Sequence, residues 1–120
     1  ALVMADLDHF KRINDTHGHP VGDRALQAVA AVLLAPMRGR DLCGRFGGEE
    51  FALLLEDTTG DTALEIAERL RKKIEAIDLE AAAGRVPLTM SFGVTAFPAL
   101  AVRTAQELVE LADSALEAWR

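Results

Sequence analysis

The sequence predicts an α/β (α+β) chain of the ferredoxin-like kind, a central, mainly antiparallel sheet with helices packed around it. Three observations carry that expectation. The chain reads in the order β-α-α-β-β-α-β-α, with helices set around one central hairpin. A Gly47-Gly48 pair joins two apolar, strand-length runs, and glycine accepts the positive φ values that a tight hairpin needs. Two long segments carry apolar residues at helical spacing, so each has one face to bury.

The elements follow in order. Leu2 to Asp6 is an apolar run and reads as the first strand. Phe10 to Thr16 is a short helix, bounded by Gly18 and Pro20. A long helix is expected from Val21 to Met37, with Leu26, Val29, Leu33 and Met37 on its inner face. Asp41 to Phe46 and Glu50 to Leu55 are the hairpin strands. Thr58 to Gly60 is a turn, and Asp61 to Ile77 is a third helix, striped by Ala63, Ile66, Ala67, Leu70, Ile74 and Ile77. Ala81 to Pro87 reads as a loop, and Leu88 to Ala96 as the fourth strand, ended by Pro98. Thr104-Ala105-Gln106-Glu107 is a capping box for a last helix, with Leu108, Leu111, Ala112, Ala115 and Trp119 inward.

Composition narrows the function classes. The 120 residues suit one domain with a real core, and a hydrophobic fraction of 50% argues against disorder. The net charge of -6 provides no basic field to attract nucleic acid or an anionic membrane. A nucleotide bound by such a chain needs a metal ion or local basic residues. A single cysteine, Cys43, forms no internal disulfide and fits a reducing cytosol. No apolar run reaches membrane-spanning length, so a cytoplasmic location is expected, compatible with membrane anchoring elsewhere in a longer protein.

Chemistry concentrates in two acidic constellations. The first strand ends in Asp6-Leu7-Asp8, and the hairpin tip carries Glu49-Glu50. Successive strand positions point to opposite faces, so one of the two glutamates faces a site and the other its rim. Carboxylates from a strand end and a hairpin tip supply the hard oxygen ligands that Mg²⁺ takes, the arrangement used in metal-assisted nucleotidyl transfer. Read alone, GGEE would be a solvated acidic turn; the second acidic group changes that weighing. His17 and His19 suggest zinc, but no third His or Cys lies at ligand spacing, and loop packing is the better reading.

Four motifs, in order and over nearly the whole chain, resemble the GGDEF domain of diguanylate cyclases. They are Asp6-Leu7-Asp8-His9-Phe10-Lys11-Arg12-Ile13-Asn14-Asp15, Gly18-His19-Pro20-Val21-Gly22-Asp23, Arg45-Phe46-Gly47-Gly48-Glu49-Glu50-Phe51 and Leu88-Thr89-Met90-Ser91-Phe92-Gly93-Val94. The resemblance implies a palm-type nucleotidyl cyclase core and condensation of two GTP to cyclic di-GMP, with release of pyrophosphate. It implies Mg²⁺ or Mn²⁺, a homodimer for catalysis, and an N-terminal sensor domain in the full protein. In the family a helical segment precedes the first strand, and a Gly-Arg-Asn-like segment and final strand follow the last helix. Neither is in this sequence, so the chain is expected to be a core trimmed at both ends.

Within that frame each residue has an expected role beside a plainer one. Asp6 and Glu49, from neighbouring strands, are the expected metal ligands, with the Leu7 carbonyl a third; a strand-end cap is the alternative for Asp6. Glu50 supports a second metal, helps deprotonate an attacking 3′-hydroxyl, or lies on the rim. Asp8 caps the following helix or stands behind the ligands, and capping is favoured. The His9 and Phe10 N–H groups at that helix start suit a phosphate. Lys11 reaches phosphates or is simply solvated. Asn14 and Asp23 carry guanine specificity in the family: an Asp accepts from the base's N–H donors, and an Asn can donate and accept. Their plainer roles are to end one helix and cap the next. Gly47 and Gly48 permit the turn and a close backbone approach to ligand.

Arg38-Gly39-Arg40-Asp41 resembles the family's Arg-x-x-Asp product-inhibition site, with Arg69 as its secondary arginine. The plainer reading is an Arg at a helix C-terminus followed by a loop salt bridge. Ala115-Leu116-Glu117-Ala118-Trp119-Arg120 departs from the family's Ala-Leu-Tyr-x-Ala-Lys; Arg120 stands where the family's Lys reaches the γ-phosphate, keeping charge and changing reach. Two further classes compete with the cyclase reading. One is a non-catalytic module that binds GTP or cyclic di-GMP. The other is a different cyclase or polymerase palm, against which Asn14, Asp23 and the acidic surface argue.

Overall fold

The computed structural model describes residues 1–95 together with Glu107 and Glu110, which are helical. The expected capping box at Thr104, the inward residues of the last helix and Arg120 lie outside the described residues. The elements are β1 (Leu2–Leu7), α1 (Phe10–His17), α2 (His19–Leu34), β2 (Leu42–Arg45), β3 (Glu50–Leu54), α3 (Gly60–Glu75), β4 (Glu80–Ala81), β5 (Gly84–Arg85) and β6 (Met90–Thr95). The main sheet is antiparallel in the order β2-β3-β1-β6, so β1 is central, as the ferredoxin-like expectation requires.

Strand β1 is apolar on both sides because it is covered on both. Val3, Ala5 and Leu7 join Phe51, Leu53, Val29, Leu33, Ala67, Leu70 and Ile74 in the core between the sheet and the helices. Leu2 and Met4, on the opposite face, are also buried. The register is fixed by this burial: Val3 opposes Leu53 and Ala5 opposes Phe51, while Asp6 falls opposite Glu50 on one side and Ser91 on the other. A slip of one residue would drive Asp6 into the helix-covered face.

Most boundaries differ from the sequence expectation by a residue and some by more; α3 ends at Glu75, so Ile77, expected on its stripe, lies beyond it. Helix α2 begins at His19 rather than Val21, because Pro20 occupies its first turn, where a missing N–H costs nothing. It ends at Leu34 rather than Met37: Ala35 still has helical backbone and donates to the Ala31 carbonyl, but Pro36 has no N–H to carry the ladder on. The expected loop over 81–87 contains the small β4–β5 hairpin, with Glu80 opposite Arg85. Strand β6 starts at Met90; Leu88, expected inside it, is buried ahead of it. No helix among the described residues is long and apolar enough to cross a membrane.

Helices α1 and α2 meet at one residue. Gly18 has φ 89°, caps the end of α1 through its N–H to the Asn14 carbonyl at 2.8 Å, and opens α2. An L side chain is strained at that φ. Gly18→Ala is therefore expected to destabilise the chain by about 1–2 kcal/mol. Gly39→Ala, where a Cβ meets nothing within 4 Å, is expected to change stability little. Urea denaturation of the two variants checks the contrast.

Candidate active site

The hairpin β2–β3 places its glutamates beside the end of β1. The Leu7 N–H donates to the Glu49 carbonyl at 3.1 Å, one step beyond the Asp6–Glu50 pair, so the ladder runs up to the tip. The Phe46 N–H donates to the Glu50 carbonyl at 2.7 Å and closes the tip from the other side. As a result, one carboxylate oxygen from each of Asp6, Glu49 and Glu50 lies within 4.8 Å of the others. Among the described residues this is the only group of three or more His, Cys, Asp or Glu side chains able to share one ion.

This corrects the expectation for the two glutamates. Alternation would send Glu49 and Glu50 to opposite faces, yet both carboxylates reach the same place. Glu49 lies in the tip, one residue before β3 begins, so strict alternation does not govern it. The Glu50 side chain also folds back towards the tip: its Oε2 lies 3.4 Å from where a Cβ of Gly47 would stand. Three hard, anionic oxygen donors at one point suit a divalent cation such as Mg²⁺, which relieves their mutual repulsion. The carboxylates of Asp6, Glu49 and Glu50 would hold it.

Asp8 is not the helix cap that its position suggests. The residue at the start of α1 is His9, in the left-handed region at φ 57°, with no side-chain cap. The Asp8 carboxylate instead accepts from the Thr89 hydroxyl at 2.9 Å and the Ser91 hydroxyl at 2.7 Å, and its N–H donates to the Thr89 carbonyl at 2.9 Å. It ties the turn after the acidic strand end to β6. Phe10 is half-buried and packs against the core, and Lys11 is exposed one position further on.

The tight α1–α2 junction sets Asn14 against the first turns of α2. The Asn14 carboxamide lies against Gly22, the neighbour of Asp23 in sequence. Its Oδ1 is buried and has no hydrogen-bond partner among the described residues. Asp23 is exposed and, with α2 starting at His19, sits inside the helix rather than capping it. It opens onto a cavity of about 430 Å³ between α2 and β2, lined by Leu26, Ala30, Leu34, Cys43, Arg45 and Phe51 among others. Sequence reasoning missed this cavity, although the spacing of Asp23, Leu26, Ala30 and Leu34 along one helix face was a signal. Burial pushes the Cys43 thiol above its ordinary value, so it is no thiolate nucleophile there.

Arg38 and Asp41 form a folded cluster at the other end of the hairpin. The Asp41 carboxylate accepts from the Arg38 N–H and the Glu56 N–H, each at 3.0 Å, and its side chain is 4% exposed. The Arg38 guanidinium lies 3.5 Å from Asp41 and reaches the Glu56 carbonyl and Thr58 hydroxyl at 3.4 Å. Arg40 pairs with Glu56 at 3.2 Å. A shallow pocket of about 320 Å³ is bounded by Arg38, Arg40, Asp41, Glu56 and Asp57; Arg69, expected there, is exposed on α3 and does not line it.

Burial works to raise the Asp41 carboxyl, but the two backbone N–H groups and the Arg38 guanidinium outweigh it and hold it below its ordinary value. A depressed folded value means stability that is complete above the unfolded value of about 4 and is lost as pH falls through the folded one. Asp41→Ala is expected to cost about 1–3 kcal/mol at pH 7, because two backbone amides lose their acceptor. The gap between the variant and the parent chain should close as the pH is taken towards about 2 in denaturant titrations.

The chain is similar to known proteins in sequence and in fold. The family model described as "Diguanylate cyclase, GGDEF domain" matches residues 1–120. Diguanylate cyclase A of Treponema denticola is 38% identical over 116 residues, covering 97% of this chain and 31% of that protein. Probable diguanylate cyclase DgcT of Escherichia coli is 38% identical over 117 residues, covering 96% of this chain and 26% of the relative. The chain thus spans about a third or less of these curated relatives. The crystal structure of diguanylate cyclase SiaD with its activator SiaC, from Pseudomonas aeruginosa, superposes with a TM-score of 0.79 at 40% identity, covering 96% of this chain and 44% of that one. The GGDEF domain of DgcB from Caulobacter crescentus, in complex with c-di-GMP, gives a TM-score of 0.81 at 29% identity, covering 98% of this chain and 69% of that one.

Proposed function

The chain belongs to the GGDEF diguanylate cyclase family, and on that footing we propose that it is a diguanylate cyclase domain condensing two GTP into cyclic di-GMP and two pyrophosphates. The observation that carries the reading is the convergence of Asp6, Glu49 and Glu50 within 4.8 Å of one another at the hairpin tip.

Phosphoryl transfer asks mainly for positioning and charge neutralisation. Asp6, Glu49, Glu50 and the Leu7 carbonyl would hold Mg²⁺ or Mn²⁺, which when bound neutralises triphosphate charge and polarises the α-phosphorus. The N–H groups of His9 and Phe10, with Lys11, take phosphate oxygens at the start of α1. Gly47 and Gly48 leave the tip open for that approach. Asn14 and Asp23 hold the guanine edge. The 3′-hydroxyl of one GTP attacks the α-phosphorus of the other in line, its proton passes to Glu50, and pyrophosphate leaves.

One such site holds one GTP, so two copies must face each other to close the cyclic product. The full protein would bring them together through an N-terminal sensor domain, in the cytoplasm where GTP is found. Cyclic di-GMP would act back on Arg38. Asp41, with both oxygens engaged by backbone N–H groups, shapes that pocket more than it reaches from it.

Incubation of the concentrated chain with GTP and Mg²⁺, followed by chromatography, should yield cyclic di-GMP at a rate per chain that rises with chain concentration. Glu49→Ala should lower it by more than about a hundredfold, since a lost metal ligand forfeits several kcal/mol of charge stabilisation. Product formation that survives both this substitution and chelation by EDTA would overturn the assignment.

A further inference from the structure

We infer that Gly22 is a specificity-determining position that orients Asn14, an inference that rests on the guanine reading above. A Cβ on Gly22 would stand 2.9 Å from Asn14 Cγ, nearer still to Asn14 Oδ1, and 3.4 Å from Phe10 Cε1. The Asn14 carboxamide therefore occupies the notch that the missing side chain leaves. Its Oδ1 is buried in that notch and has no hydrogen-bond partner among the described residues.

A buried acceptor without a partner is costly and calls for a reason. Here the notch supplies one. With Oδ1 lodged over Gly22, the nitrogen end of the carboxamide is left to meet a ligand, and it can only donate. Asp23, on the residue after the notch, can only accept when ionised. A donor from Asn14 and an acceptor from Asp23 match the guanine edge, where the O6 acceptor adjoins the N1–H and N2–H₂ donors. Adenine presents an amino group in place of O6, so donor meets donor.

Any side chain at position 22 evicts the carboxamide. The clash falls on the far end of a flexible side chain, which swings away, while the helix backbone loses nothing; alanine is the better helix former. The consequence is a folded chain whose guanine recognition is impaired. Gly22 thus acts through Asn14 and is a positioning residue that need not touch the nucleotide.

The test is a double-mutant cycle read by calorimetry, with thermal melts alongside. The ligands are 3′-deoxy-GTP and 3′-deoxy-ATP in Mg²⁺ buffer, which lack the attacking hydroxyl and cannot be cyclised. Gly22→Ala and Asn14→Ala are each expected to weaken 3′-deoxy-GTP by about tenfold, the size of one lost hydrogen bond of about 1.4 kcal/mol, and to leave 3′-deoxy-ATP unchanged. The double variant should bind as Asn14→Ala does, because the methyl group added at position 22 then has no carboxamide to displace. Full binding by Gly22→Ala, with Asn14→Ala weakened, overturns the inference and spares the guanine reading. So does a Gly22→Ala loss that adds undiminished to that of Asn14→Ala, or a position-22 variant that folds in neither background. Full binding by Asn14→Ala, or no binding by the parent chain, overturns the guanine reading and this inference with it.

Discussion

The structure depends on the pairing of β1 with β3. That pairing sets Asp6 opposite Glu50 and brings Glu49 level with Leu7. It is fixed elsewhere, by the burial of Val3, Ala5 and Leu7 under the helices and by the Leu55 N–H, which donates to the Ala1 carbonyl at 2.8 Å at the far end of the strand. Hydrophobic burial of roughly 1.5–3 kcal/mol per large side chain locks a register that the carboxylates, left to themselves, would oppose. The apolar face thus holds together what charge would separate. In this sense the core is part of the site: Leu53 and Phe51 act on the chemistry by refusing any other alignment.

The same separation of duties runs through the helices. Helix α2 buries Val29 and Leu33 and so fixes its own rotation against the sheet. Gly22 and Asp23, earlier on the helix, are carried to the α1 junction by that rotation. Gly18 shortens the connection to one residue, which leaves Asn14 little choice of neighbour. Asp8 does for the loop after β1 what Gly18 does between the helices. Its two hydroxyl partners on the approach to β6 and within it hold the chain where the strand gives way to the start of α1. The groove beside Asp8 contains Arg71, but that guanidinium already bridges Glu68 and Glu75 at 2.6 Å each, so it offers no unclaimed cation for a phosphate.

What could be read from the sequence was what local chemistry decides. The hairpin at Gly47-Gly48, the apolar runs beside it and the stripe of α3 state their structures in a few neighbouring residues. Neither glycine, however, takes the positive φ expected of a tight turn, because four residues, 46–49, connect the strands. The acidic groups at Asp6 and Glu49 were also legible, because strand ends and hairpin tips have known directions. What the sequence hid depends on distant partners or on competition between local rules. Asp8 reads as a cap because Asp before a helix commonly is one; its true partners are 81 and 83 residues away. Pro20 was read as a stop and Pro36 was read through, whereas Pro20 lies in the first turn of α2 and Pro36 just past its end, so α2 shifts by two residues at its start and three at its end. The β4–β5 hairpin is built partly on Ala81 and Gly84, poor strand formers, and has no periodicity to reveal it. The joint approach of Glu49 and Glu50 depends on where β3 begins, which the alternation rule does not decide.

Asp41 shows how a residue can serve a pocket without being offered to a ligand. An aspartate gripping guanine needs its oxygens free, whereas this one spends both on backbone N–H groups from two segments. Those segments are the turn that leads into β2 and the chain that leaves β3, so the carboxylate clamps the open end of the hairpin whose tip carries Glu49. Strand β2 is the edge of the described sheet, paired with β3 alone, so the clamp steadies a strand that has a neighbour on one side only. Ladder pairs run from Leu42–Leu54 near the clamp to Arg45–Phe51 near the tip. They span about 10 Å at the usual rise per residue, short enough for the ribbon to move as one piece. The surface around Arg38 is thus stiffened by Asp41, and the same stiffness helps fix the direction in which the tip presents its carboxylates. The clamp and the acidic cluster lie at the two ends of one hairpin, joined by its ladder and held to β1 along β3.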